Sequence, residues 1–187
     1  MNEAARPIGE EAEETAAAEA DHAPGDLEVP EGVNLLEGEP SGARPVAIVV
    51  SRFNGDYTSR MLTRALEELE AAGVSENLVT VVPVPGAFEL PLGAMALAKT
   101  RRYACIVALG CVIRGETPHF DYVAGEAASG LQLAALETGV PVAFGLLTVD
   151  SEAQADARIE KAADAVRAAL EMADLFAEIR GSASQTG

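Results

Sequence analysis

The stretch ACIVALGCVI at residues 104–113, followed without a break by RGETPHFDYV at 114–123, decides the fold. A continuous apolar run rich in Val and Ile predicts a strand buried on both faces, as in a parallel sheet covered by helices. The run stops at Arg114-Gly115-Glu116-Thr117. Pro118 then suits the first turn of a helix. The turn leads into His119, one of only two histidines; the other, His22, lies in a polar segment. Histidine changes charge nearest neutral pH, and the N–H groups at a helix start attract anions. The stretch therefore predicts a proton-transfer group beside an anion cradle. An ordinary βα loop capped by Thr117 is the plainer alternative for the turn.

Working outward, the same punctuation recurs. VAIVVS at 46–51 predicts a strand, Arg52-Phe53-Asn54-Gly55 a turn, and residues 56–72 a helix. Its apolar positions Met61, Leu62, Ala65, Leu66 and Leu69 keep three-to-four spacing, and Gly73 suits its end. Residues 78–84 read as a second strand, Pro85-Gly86-Ala87 as a turn and 88–99 as a helix. The third strand, at 103–113, precedes a helix from Pro118 or His119 to Thr138. A fourth strand is expected at 140–149. Asp150 or Ser151 then caps a last helix running to about Ile179. Four alternations predict an α/β fold: a three-layer α/β/α sandwich on a four-stranded parallel sheet, flavodoxin-like in arrangement. Ligands of such sheets bind beyond the carboxyl ends of the strands. The informative segments are thus 53–55, 85–89, 114–119, and Phe144 onward.

Each segment offers a candidate. Phe53 can stack on a planar ring or fold back over the core. Gly86 and Ala87 let a ligand approach the backbone while Glu89 accepts hydroxyl hydrogen bonds; alternatively Glu89 caps its own helix and Phe88 is core. Arg158 can bind a phosphate or pair with Glu152, Asp156 or Glu160. Asp56 and Asp121 are candidate partners for His119. No GxxxxGK[ST] occurs and no GxGxxG follows a strand, which argues against nucleoside-triphosphate and dinucleotide sites. One usable histidine and two strand cysteines make no closed metal site.

The chain has 187 residues, 49% hydrophobic but only 4% aromatic and without Trp, so the core is built from Ala, Val, Leu and Ile. A net charge of −17 argues against nucleic acid or an anionic membrane as partner. No apolar run reaches the 18 residues expected of a transmembrane helix, and the N-terminus lacks a signal peptide's apolar stretch. Cys105 and Cys111 share one face of a strand about 20 Å apart, too far for a disulfide. They read as reduced core thiols of a cytoplasmic protein. Residues 1–43 carry 12 acidic residues against one arginine. They are expected to form a disordered acidic extension, with a mildly apolar VPEGVNLL at 29–36. The domain then covers 44–180, and 181–187 is expected as a disordered tail.

Four segments carry a resemblance: RFN at 52–54, PGAFELP at 85–91, GCVIRGETPHFDYV at 110–123 and PVAFGLLT at 141–148. In order and spacing they resemble the 6,7-dimethyl-8-ribityllumazine synthase family, over about residues 45–175. The resemblance implies a transferase of the penultimate step of riboflavin biosynthesis, with no cofactor and no metal. It joins 5-amino-6-(D-ribitylamino)uracil to 3,4-dihydroxy-2-butanone 4-phosphate. Phe53 would stack on the pyrimidine. Ala87, Phe88, Glu89 and the strand end Cys111-Val112-Ile113 would hold the ribityl chain and ring edge. Glu116 and Thr117 would bind the phosphate, and His119 would move protons. Phe144 and Arg158 match positions that reach into a neighbour's site, which implies a homo-oligomer. After Arg158 the family's glycine- and lysine-containing loop is about five residues short here. That favours a pentamer or decamer over a sixty-subunit shell. The alternative is a catalytically weak flavin- or lumazine-binding or scaffold paralogue.

Overall fold

The computed structural model describes residues 27–38 and 44–185. Most of the acidic extension therefore lies outside the described residues. Residues 27–35 belong to a unit of their own without helix or strand. Its turn is closed by Val33 N–H donating to Pro30 O at 3.2 Å, with Gly32 at φ 88°.

The folded domain runs β1 (Val46–Ser51), α1 (Gly55–Ala71), β2 (Val79–Val84), α2 (Leu90–Lys99), β3 (Cys105–Ile113), α3 (His119–Thr138), β4 (Val142–Val149), α4 (Glu152–Asp156) and α5 (Lys161–Gln185). The four strands are parallel in the order β2-β1-β3-β4. All six residues of β1 are buried, as its unbroken Val/Ile run requires for a central strand. Side chains alternate between two cores. Cys105, Val107, Leu109 and Cys111 of β3 face the layer of α1 and α5. Ile106 and Ala108 face α2 and α3. Burial pushes the Cys105 thiol up to about 12. With few aromatics, close approach of backbones replaces bulk. A Cβ on Gly130 of α3 would sit 2.6 Å from Pro91 Cβ of α2, and one on Gly145 of β4 would sit 2.8 Å from the Ala108 carbonyl oxygen. Among the described residues no helix is long and apolar enough to cross a membrane.

The sandwich and its four parallel strands match the sequence expectation, and α3 spans the helix expected from His119 to Thr138. Several boundaries differ. Residues 87–89 form a 3₁₀ turn, and α2 begins only at Leu90, so that Pro91 falls in its first turn. Strand β4 starts at Val142 rather than residue 140. Gly139, at φ 65°, caps α3, and Pro141 has no N–H for a ladder. The last helix is broken: α4 ends at Asp156, a turn covers 157–160, and α5 follows. Ser151 Oγ caps α4 by accepting from Gln154 N–H at 3.3 Å. Helix α5 also passes Ile179 and continues to Gln185, so residues 181–185 are helical where a tail was expected. Gly181 alone, without a proline after it, does not stop a helix already docked on the sheet.

Ion pairs tie the broken region to α1. Arg60 binds Asp156, and Arg64 Nε reaches Glu160 Oε2 at 2.7 Å. Glu68 accepts from Arg64 at 2.9 Å and Arg167 at 2.8 Å.

Candidate active site

The site is assembled where the chain leaves β1, β2 and β3. Beyond β1, Arg52 N–H donates to Val84 O at 2.8 Å and Phe53 N–H to Pro85 O at 3.1 Å, so the turn stays attached to β2. Asn54 then takes a left-handed conformation, φ 56° and ψ 47°, which asparagine tolerates better than most residues. Its Nδ2 donates to Cys111 O at 2.9 Å, fastening the β1 turn to the end of β3. The Phe53 ring is 70% exposed; it is not folded back over the core.

Beyond β2, Gly86 is extended, and a Cβ there would lie 3.1 Å from Glu89 Oε2. The glycine leaves space for that carboxylate. Glu89 stands at the start of α2, but its side chain makes no cap bond. Phe88 is 57% exposed, which excludes the core alternative, whereas Ala87 is buried.

Beyond β3, the Cys111 thiol packs into the α1/α5 core and burial pushes it up to about 11. What this residue offers a ligand is its backbone. Val112 and Ile113 are half-buried. Helix α3 begins at His119 with Pro118 as its N-cap, and no side chain caps it. The plain alternative of a capping Thr117 is therefore not what forms. Glu116, Thr117 and His119 are all exposed.

These segments enclose a cavity of about 560 Å³, within the usual range for small-molecule sites. Phe53, Ala87, Phe88, Glu89, Cys111, Val112, Ile113, Thr117 and His119 all line it. Asn54, Phe120, Tyr122 and Val123 join them, none of which sequence reasoning had singled out. Glu116 lies on the same loop but does not line the cavity. Phe144 and Arg158 stand apart. Phe144, 49% exposed on β4, lines a separate groove along α3 with Gln132 and Leu136. Arg158 lies in the turn between α4 and α5, with Nη1 donating to Gln154 O at 3.1 Å.

Electrostatically the loop after β3 is acidic. Arg114 Nε donates to Asp150 Oδ1 at 2.8 Å and Nη1 to Asp121 Oδ1 at 3.0 Å. Its guanidinium lies 4.0 Å over the Phe120 ring. The hydrogen bonds to Asp150, then Asp121, hold the guanidinium's pKa above its ordinary value. Asp121, a candidate partner of His119, is thus engaged by arginine. Among the described residues no group of three His, Cys, Asp or Glu is arranged to hold a metal ion.

The cavity lies at the switch point of the sheet, where β2 and β3 leave β1 on opposite sides. Fold and site together define an α/β enzyme working in a cleft beyond the strand ends. The family model of 6,7-dimethyl-8-ribityllumazine synthase matches residues 44–177. The 6,7-dimethyl-8-ribityllumazine synthase of Yersinia pestis (strain Pestoides F) is 48% identical over 157 residues, covering 80% of this chain and 100% of that protein. The synthase of Yersinia pseudotuberculosis (serotype O:1b, strain IP 31758) matches to the same extent. The chain belongs to the 6,7-dimethyl-8-ribityllumazine synthase family.

Proposed function

We propose that the chain condenses 5-amino-6-(D-ribitylamino)uracil with 3,4-dihydroxy-2-butanone 4-phosphate to 6,7-dimethyl-8-ribityllumazine, releasing phosphate and water. The carrying observation is one cavity that gathers an exposed aromatic ring, a carboxylate, a strand-end backbone and an imidazole. Phe53 stacks on the pyrimidine, a planar partner for a planar ring. Ala87, Phe88 and Glu89 take the ribityl chain, with Glu89 accepting from its hydroxyls. The backbone of Cys111, Val112 and Ile113 meets the ring edge. Thr117 and the N–H groups of Glu116 and Thr117 hold the phosphate.

The amine attacks the ketone and water leaves as an imine forms; phosphate is then eliminated, and the second amine closes the ring on the remaining carbonyl with loss of a second water. Each step moves a proton, and His119 at the cavity wall accepts and returns it. Holding both reactants side by side supplies much of the rest.

The phosphate needs a cation that the loop does not offer, because Arg114 is already bound to two aspartates. Arg158 and Phe144 lie outside the cavity of their own chain, which supports their acting in a neighbour's site. The enzyme therefore works as a homo-oligomer with shared sites. The short turn at 157–160 favours a pentamer or decamer. Two free, buried cysteines fit a cytoplasmic setting.

Product formation from the two substrates tests the reaction; its absence overturns the reading. His119→Ala is expected to slow a single turnover roughly 10²–10⁴-fold with binding of the pyrimidine kept. An unchanged single-turnover rate removes His119 from the chemistry.

A further inference from the structure

We infer that Arg114 is a positioning residue that staples the loop at 115–118 closed around the phosphate of the butanone substrate. The inference rests on the assignment of that loop as the phosphate site. Five residues, Arg114 to Pro118, lie between the end of β3 at Ile113 and the start of α3 at His119. The entry is fixed, since Arg114 N–H continues the sheet ladder to Val149 O at 2.8 Å. The exit is not fixed by a cap, because no side chain caps α3. Nor does packing hold the loop. Residues 114–119 are exposed, and a Cβ built on Gly115 meets nothing within 4 Å.

The Arg114 side chain supplies what is missing. It leaves the end of β3, reaches Asp121 in the first turn of α3 at 3.0 Å, and spans to Asp150 just past β4 at 2.8 Å. Between them it covers the ring of Phe120, a cavity-lining residue, at 4.0 Å. One guanidinium thus joins both ends of the loop and braces them against the neighbouring strand. Two carboxylates and a ring face suit a planar fork and not a lysine's point charge. Arg114 itself does not line the cavity. It acts through the loop's shape, so its loss should be felt at the phosphate and not at the pyrimidine. Its pairs are exposed, which makes them minor contributors to global stability.

The test compares Arg114→Gln, Arg114→Lys and Thr117→Val in the full chain, measuring KM for each substrate, kcat, the thermal midpoint and competitive inhibition by inorganic phosphate. Arg114→Gln is expected to raise the KM for the butanone phosphate and the inhibition constant for inorganic phosphate roughly 10- to 100-fold, the scale of loss from a misplaced binding group. The pyrimidine KM and the thermal midpoint should stay put. Arg114→Lys should restore only part of the loss. If Thr117→Val weakens phosphate binding and Arg114→Gln does not, the staple is refuted while the phosphate site stands. Equal rises in both KM values with a lowered midpoint refute it as well, since they report general loosening. If Thr117→Val leaves phosphate binding unchanged, the loop is not the phosphate site and the staple falls with it.

Discussion

At the scale of single residues, two glycines of the sheet are hemmed in by different kinds of neighbour. A Cβ on Gly110 would meet the side-chain tips of Leu146 and Leu90 at 2.5 and 3.0 Å, groups that can rotate away. A Cβ on Gly145 would meet the Ala108 carbonyl oxygen at 2.8 Å, and a backbone oxygen paired in a sheet has nowhere to go. Gly145→Ala is therefore expected to cost about 1–3 kcal/mol and more than Gly110→Ala, measured by urea denaturation. Equal losses at the two sites would discount the backbone clash. The residues that line or shape the cavity were largely legible in the sequence, because strand ends and turns announce where a side chain can face open space. Phe53, Glu89 and His119 were found that way. Asn54 and Arg114 were not. Asn54 matters through one hydrogen bond to a carbonyl 57 positions away, and Arg114 through an aspartate 36 positions away, separations that leave no local pattern.

At the scale of elements, α3 was readable because Pro118 opens it and Gly139 closes it. The break between α4 and α5 was not, since Ala157, Arg158, Ile159 and Glu160 include neither glycine nor proline. It is set instead by what surrounds it: the Ser151 cap, the buried Ala155 and Ala162, and ion pairs from Arg60 and Arg64 of α1. The centre of that charge network is Glu68, whose side chain is only 16% exposed. The Arg167 hydrogen bond, with help from Arg64, holds its carboxyl below the ordinary value of 4.5. The folded state thus binds this proton less tightly than the unfolded chain does. Its stabilisation is complete above the ordinary value and is lost as pH falls through it toward the depressed folded value. Asp164, held low first by Lys161 and then by Arg167, loses its contribution over the same side of the scale. Glu68→Gln should accordingly flatten the acid limb of a stability–pH curve followed from about pH 6 to pH 3. Curves that fall in parallel for the two proteins would show that the pairing contributes nothing.

At the scale of the whole molecule, the cavity of one chain is lined by no lysine or arginine among the described residues, and Arg158 lies outside it. Mixing separates the two contributions. His119→Ala and Arg158→Ala should each be nearly inactive alone. Refolded together, they should regain activity, because some interfaces then pair an intact His119 with an intact Arg158 from the next subunit. A mixture no more active than the sum of its parents would place both residues in one chain's site. The pairing of a single arginine with both Asp121 and Asp150 has a kinetic consequence as well. A phosphate ester diffusing toward a chain of net charge −17 climbs a repulsive field over its last nanometre, so dissolved salt should hasten its capture. Stopped-flow association of the butanone phosphate is expected to speed up between about 0.01 and 0.15 M salt. A rate that slows instead would mean that the neighbour's arginine already governs the approach.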